Sequence, residues 1–307
     1  PNITRVFSEI IAIWVVTFWK SLGSPKKFNL LELGAGNGEM MKVIIETLKN
    51  FPECSLNCNF QIHEKSELLK KKQQLNLKSE KITWIEDVKI NNSYPTIFLA
   101  NEFFDALPIK QFFKKKEGWV ERFVHFKEKA EFKEQPADIK KIEQNLNFTI
   151  SKEQEVIEYS PGSFEYLKNI CNLIKKNDGG ILIIDYGYLD LKMHETLQAI
   201  KNHKYSNILE DIGDSDITYN INFSLFKKFT EQFNKLDSII SNHKKFLTSM
   251  GIVQRAEIIS ENIPFSEKSD LFYRIRRLID EKQMGELFKV MLIKKKNNKF
   301  KTGFEID

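Results

Sequence analysis

Cysteine is scarce in this chain: 307 residues hold only Cys54, Cys58 and Cys171. An odd count of three builds no disulfide framework and fits a reducing compartment. Cys54 and Cys58 have no second Cys or His pair at finger spacing, and the five histidines form neither an H-E-x-x-H pattern nor a close pair. No metal site is therefore expected. Long apolar runs are missing too. The longest, Ile10 to Trp19 between Glu9 and Lys20, falls short of the roughly 18 residues of a membrane span and reads as a buried helix face. The chain has no G-x-S-x-G elbow and no G-K-[ST] ending to a glycine loop, so neither serine-hydrolase nor phosphate-loop chemistry finds support. A large charge of one sign is also lacking. Lys and Arg total 47 against 42 Asp and Glu, and the basic runs Lys70–Lys72, Lys114–Lys116 and Lys294–Lys296 lie scattered. Nucleic acid would call for a clustered basic stripe, so it is not an expected partner. No internal repeat or low-complexity segment is seen. The first residue is Pro1 rather than a methionine, so the natural protein is expected to begin earlier and a targeting segment cannot be read.

What the chain does have is the run LLELGAGNGEMM from Leu30 to Met41. Phe28 to Leu33 is an apolar strand pattern carrying Glu32 near its end. Gly34, Gly36 and Gly38 then alternate before a helical pattern with Met40, Ile44, Ile45 and Leu48. Strand, glycine turn and helix in that order make a site for a nucleotide-like cofactor, because glycine lets the backbone approach a ligand and adopt positive φ. A tight turn with no ligand is the plain alternative. The spacing G-x-G-x-G, rather than G-x-G-x-x-G, argues against a dinucleotide pyrophosphate, although NAD or FAD stays open with a shifted third glycine. An acid two positions before the loop suits a ligand with a cationic end, such as S-adenosylmethionine.

Further strands are expected at Phe60–Ile62, Lys81–Ile85, Thr96–Ala100 and Ile181–Ile184, alternating with helical stretches. That rhythm is the mark of a parallel, doubly wound α/β sheet, in which ligands bind beyond the carboxyl ends of the strands. Glu32, Glu64, the pair Glu86-Asp87, the pair Asn101-Glu102 and Asp185 all fall at such ends. Glu64, 26 residues past Gly38, stands where an acid would grip ribose hydroxyls. Trp84 is either a core residue or part of an adenine pocket.

Two segments interrupt the rhythm. Gln111 to Phe132 alternates aromatics and charges about a turn at Glu117-Gly118, an antiparallel hairpin pattern. Leu189 to Asp237 reads as loop-rich. We therefore expect a single domain over residues 1–307 with insertions at about 111–150 (a β-hairpin arm) and about 189–240 (a loop-rich cap). Ser160-Pro161 opens a helix that stops at Asn177-Asp178-Gly179-Gly180. Ile252–Ile259 and Leu287–Lys294 read as closing strands around a basic helix from Ser269 to Lys282.

Asn101-Glu102-Phe103-Phe104-Asp105-Ala106-Leu107-Pro108 is the strongest candidate for chemistry. One turn of helix would bring Glu102 and Asp105 to one side, where two acids could hold a guanidinium through bidentate, charge-assisted bonds. A capping role for Asp105 is the plain alternative. Asp185 in Asp185-Tyr186-Gly187 is a third acid, and Asp216 a weaker one.

These residues carry a resemblance. LELGAGNGE followed by NEFFDALPIKQF, IEYSPG, GGILIIDYGY, ETLQAIKNHK, DITYNINF, FLTSMGI and MGELFKVMLI, in this order along nearly the whole chain, resembles the MidA family of S-adenosylmethionine-dependent methyltransferases. That family includes a mitochondrial complex I assembly factor acting as a protein arginine methyltransferase. Three departures stand out. The opening PNITRVFSE has Asn2 for the usual Glu and Ser8 for the usual Gly, and Ser241-Asn242-His243 replaces a threonine-glutamine-glycine run. The family usually carries a further N-terminal stretch ending in a glycine-aspartate-phenylalanine run, which is expected ahead of the point where this sequence opens.

The resemblance implies a class I, Rossmann-like methyltransferase fold, with a mainly parallel seven-stranded sheet, helices on both faces, and insertions. It implies S-adenosylmethionine as cofactor, with Glu32, Gly34, Gly36, Gly38, Glu64, Asp87 and Asn101 as cofactor-binding residues and Glu102, Asp105 and Asp185 as catalytic acids. The acceptor would be an arginine of a protein, a complex I subunit during assembly, in the bacterial cytoplasm or the mitochondrial matrix; a homodimer stays open. The rival reading is a non-catalytic assembly chaperone built on the same fold. Methylation of nucleic acid amino groups is disfavoured, because Asn101-Glu102-Phe103-Phe104 replaces N-P-P-[FY] and a glutamate there repels phosphate.

Overall fold

A computed structural model describes residues 5–89, 93–201, 204–210 and 213–305. Asn2, and the Asn202-His203 pair of the ETLQAIKNHK motif, lie outside the described residues. In chain order the elements begin with α1 (Arg5–Ser21), β1 (Phe28–Leu33), α2 (Glu39–Leu48), α3 (Pro52–Leu56), β2 (Cys58–His63), α4 (Glu67–Asn76), β3 (Ile82–Ile85) and β4 (Thr96–Asn101). There follow β5 (Lys110–Lys115), β6 (Gly118–Phe126), β7 (Ala130–Pro136), α5 (Ile139–Leu146), β8 (Val156–Tyr159), α6 (Pro161–Asn177) and β9 (Gly179–Tyr188). Next come β10 (Gln198–Lys201), β11 (Lys204–Ser206), β12 (Asp216–Thr218), β13 (Ile221–Asn222) and α7 (Phe223–Thr230). The chain closes with β14 (Leu236–Asn242), α8 (His243–Ser249), α9 (Ile252–Glu261), α10 (Phe265–Ile279), α11 (Met284–Leu287) and β15 (Phe288–Lys295).

These elements fall into two compact units. The first holds residues up to Glu102, Asn169–Asp185 and Thr230 onward; the second holds Phe103–Lys168 and Tyr186–Phe229.

The first unit is organised by a sheet of order β14-β15-β9-β4-β1-β2-β3. Pairings β3/β2, β2/β1, β1/β4 and β4/β9 are parallel, whereas β14 and β15 pair antiparallel over seven residues. The central strands FNLLEL and TIFLAN are buried almost throughout, as expected of a parallel sheet covered on both faces. Asn29 ties the amino ends of three strands. Its side-chain amide donates to Thr96 Oγ1 at 3.0 Å and its carbonyl accepts from Asn59 at 3.2 Å. Helix α1 is buried on nearly all sides, with Trp14 stacked on Phe18 at 5.0 Å. Its Glu9 accepts from Arg5 and Arg255, and Arg5 also meets Glu46 of α2, so charge fixes the helix to α2 and α9. Among the described residues no helix is long and apolar enough to cross a membrane.

In the second unit, β7-β6-β5-β8 form an antiparallel sheet and β11-β10-β12 a smaller one. Residues 111–132 become β5, β6 and the start of β7. Among its described residues Leu189–Asp237, read as loop-rich, holds the short strands β10 to β13, α7 and the first two residues of β14. Strands β10 to β13 are two to four residues long, too short for alternation to show in sequence. Phe164 gathers an aromatic cluster from Tyr159, Phe226 and Phe229.

One strand is relocated. Ile252–Ile259 is helix α9, entered through Gly251 at φ 81°, and its buried residues Ile252 and Ala256 stand one helical turn apart. The strand beside β15 is instead β14. The basic helix expected from Ser269 is α10, starting at Phe265.

Candidate functional site

Register aligns the carboxyl ends of the parallel strands. Leu33 pairs with His63 and Ala100, His63 with Ile85, and Ala100 with Ile183. Residues immediately beyond this line therefore share one rim of the first unit: the glycine loop, Glu64, Glu86-Asp87, Asn101-Glu102 and Asp185.

The loop leaves β1 at Gly34, whose N–H donates to the His63 carbonyl at 3.0 Å. Gly34, Gly36 and Gly38 have φ of 64°, 55° and 87°, the left-handed region that costs an L-residue roughly 1–2 kcal/mol. A side chain at Gly38 would also lie 2.9 Å from Leu77 Cδ1, whereas the space beside Gly36 is open. Gly38 caps α2, and the Asn37 carboxamide oxygen accepts from Glu39 N at 3.2 Å. The loop thus presents open backbone on the rim and is closed on its α4 side.

Glu32 is 3% exposed, and its Oε2 has no hydrogen-bond partner among the described residues. Burial pushes its carboxyl up to about 8. A buried acid left unpaired is costly, and a cation is the group that would relieve it.

Glu64 is half-buried beyond β2. Its Oε1 accepts from Ser66 N at 2.8 Å and its Oε2 from Gln73 Nε2 at 3.0 Å. Asp87 is exposed after β3, and its carboxylate is held below the usual range because Lys89 N donates to it at 3.0 Å. Trp84 is half-buried, with its indole N–H donating to Gln73 Oε1 at 2.9 Å.

Asn101 ends β4 and its amide donates to Glu102 Oε1 at 3.4 Å. Glu102 has φ 48° and gives its N–H to the Ile184 carbonyl at 2.9 Å. Burial raises its pKa. A non-glycine residue held left-handed at a strand end stores strain of about 1–3 kcal/mol, a pattern concentrated at active sites. The helical turn expected over Glu102–Asp105 is absent. Positive φ at Glu102 and Pro108 just downstream are incompatible with continuous helix, and Phe104–Leu107 form a turn instead. Asp105 is 4% exposed in the second unit, beside fully buried Phe104. Asp185 is fully buried at the end of the first unit's share of β9. Asp216 is exposed on β12.

Gln73 is the residue that sequence reasoning missed. It is fully buried in helix α4, at spacing four from Leu69 of the helix and from Leu77 at its C-cap. A polar residue on an apolar stripe was the available signal.

A parallel sheet of order 3-2-1-4 and onward, a left-handed glycine loop after β1 and an unpaired acid beneath it define the class: a Rossmann-like, S-adenosylmethionine-dependent methyltransferase. The residues fit that cofactor, because the rim offers an open backbone cradle and Glu32 a buried carboxyl with an unpartnered oxygen. The family described as "Putative S-adenosyl-L-methionine-dependent methyltransferase" matches residues 10–241, and the chain belongs to it.

Among curated relatives, the protein arginine methyltransferase NDUFAF7, mitochondrial, of Homo sapiens is 27% identical over 94% of this chain and 71% of its own length. Its Xenopus laevis counterpart is 24% identical over 94% and 72%. Two solved structures of COG1565 superfamily proteins from Burkholderia thailandensis share the fold. One, described as a likely methyl transferase bound to S-adenosyl-homocysteine, has TM-score 0.78 and 20% identity, covering 96% of this chain and 77% of its own. The other has TM-score 0.81 and 19% identity, covering 99% and 82%.

Proposed function

We propose that this methyltransferase acts on an arginine side chain of a protein acceptor, a respiratory complex I subunit in the course of assembly. The reading draws on the arginine methyltransferase names of the relatives and on the acids of the strand rim. Glu102 is the single observation that carries it: a strained, desolvated carboxylate one residue beyond β4, on the rim that carries the glycine loop.

Bound S-adenosylmethionine supplies an electrophilic methyl group on a sulfonium. In this reading Gly34, Gly36 and Gly38 hold its amino-acid part, Glu32 pairs with its ammonium, and Glu64 accepts from its ribose hydroxyls. Asp87 and Asn101 complete the cofactor side. An arginine guanidinium keeps its proton, with pKa above about 12, so the acceptor arrives as a planar cation. Glu102 orients it, localises its charge, and takes the one proton that methylation of a nitrogen releases. Asp105 and Asp185 are the further acids for that role. Alignment of nucleophile and methyl is the main source of rate, which is why positioned carboxylates matter more than strong bases here.

Mass spectrometry of candidate respiratory subunits, incubated with the protein and S-adenosylmethionine, should show steps of about 14 daltons on arginine, one methylene each. Glu102→Ala and Asp105→Ala should each lower the methylated fraction at least about tenfold, the loss of one charge-assisted bond. Full methylation by both variants would defeat the assignment. Calorimetry showing no binding of S-adenosylmethionine would instead favour the chaperone.

A further inference from the structure

We propose that Gln73 is a positioning residue of the cofactor site, fixing the Glu64 carboxylate and the glycine loop together and so setting recognition of the ribose hydroxyls. The inference rests on the reading of Glu64 as the ribose-binding acid. The Gln73 side chain is fully buried, and both N–H groups and the oxygen of its amide are engaged. Its Nε2 donates to the Gly36 carbonyl at 2.9 Å and to Glu64 Oε2 at 3.0 Å. Its Oε1 accepts from Trp84 Nε1 at 2.9 Å.

The network admits only this amide orientation. A flipped amide would set its oxygen against a carbonyl and a carboxylate, and its N–H groups against the indole N–H. Both partners on the donor side belong to the rim. Gly36 is the left-handed middle glycine of the loop, and Glu64 is the acid beyond β2. The Glu64 carboxylate is gripped at both oxygens, by Ser66 N and by Gln73 Nε2. Its plane is therefore set, while each oxygen keeps a lone pair for a further donor. Two free lone pairs on a carboxylate of fixed plane are what a vicinal diol requires. Helix α4 adds a second hold on the same loop, through Asn76 Nδ2 to the Asn37 carbonyl at 2.9 Å and Leu77 against Gly38.

A buried glutamine could instead serve folding alone. The two roles separate in how ligands with and without ribose hydroxyls respond. The test is calorimetric binding of S-adenosylhomocysteine and its 2′,3′-dideoxyribose analogue to the whole chain, as wild type, Gln73→Met, Gln73→Asn, Glu64→Gln and Gln73→Met with Glu64→Gln. Gln73→Met is close in volume but offers no donor. Gln73→Asn keeps the amide and lacks one methylene of reach, so it decides the matter if the methionine variant does not fold.

Both Gln73 variants should weaken S-adenosylhomocysteine about tenfold or more, the loss of one hydrogen bond to a charged group. Both should leave the dideoxy analogue within about twofold, and the double variant should be no weaker than Glu64→Gln by more than about twofold, since coupled residues are non-additive. Equal weakening of both ligands, or additive effects, overturns the inference. Wild-type protein that fails to discriminate between the ligands overturns the ribose reading of Glu64, and the inference with it. Wild-type discrimination retained by the Gln73 variants overturns the inference alone.

Discussion

Three glycines in five positions do different work, and side chains added to them would be felt differently. Gly36 is left-handed with open space beside it, whereas Gly38 is left-handed and faces Leu77 at 2.9 Å. Gly36→Ala should therefore cost roughly 1–2 kcal/mol of stability from backbone strain alone. Gly38→Ala should cost roughly 1–3 kcal/mol more through overpacking. Urea denaturation of the two variants checks the order, and equal losses would contradict it. Sequence spacing disclosed these glycines and Glu32, because a loop that must turn left-handed needs glycine wherever it folds. It did not disclose that Gln73 braces them, because that bond joins residues 37 positions apart.

Helix α1 shows how an element's pattern announces its environment. Its apolar residues recur around the whole circumference, so it is a buried helix rather than an amphipathic one. Trp14, fully buried, stacks on Phe18 and meets Phe300 edge-on at 5.8 Å. Trp14→Ala should cost about 3–5 kcal/mol by loss of buried area and the cavity left behind, read as a lower urea midpoint at unchanged slope. A loss under about 1 kcal/mol would mean the site collapses around the gap. Strands β1 and β4 were legible for the same reason, each a short apolar run. β14 was not. It lies at the end of the sheet order, half-exposed along most of its length, and an edge strand needs little apolar pattern. Ile252–Ile259, richer in β-branched residues, attracted the strand assignment that packing gave to β14.

Across the whole molecule, two buried titratable groups shape the pH dependence of stability in opposite directions. Glu32 holds its proton up to about pH 8 in the folded chain, against an ordinary 4.5. Above about 4.5 the unfolded chain binds fewer protons there, so this contribution declines as pH rises through 8. His243 is buried between Phe7 and Phe288, with Nδ1 on the Leu278 carbonyl at 3.0 Å and Nε2 without a partner among the described residues. Burial lowers its pKa to about 4 from 6.5. Its contribution is present above 6.5 and is lost as pH falls towards 4. The slopes oppose each other between about 4.5 and 6.5, and of these two groups only Glu32 acts from there to 8. The stability difference between wild type and Glu32→Gln should fall by up to about 1.4 kcal/mol per pH unit from pH 5 to 8. Urea titrations at pH 5, 6.5 and 8 measure it, and a constant difference would show that the Glu32 proton is not held.

By itself the sequence determined what local physics enforces. Apolar runs became parallel central strands, alternating glycines became a left-handed loop, and acids following those strands came to stand on one rim, because register in a parallel sheet aligns strand ends. The tertiary structure alone decided the contacts made across the chain. It turned Glu102 left-handed rather than helical, gave β14 rather than Ile252–Ile259 the place beside β15, and buried Gln73 between the glycine loop and Glu64. Those outcomes depend on partners far away in sequence, whose packing and hydrogen bonds outweigh local preference.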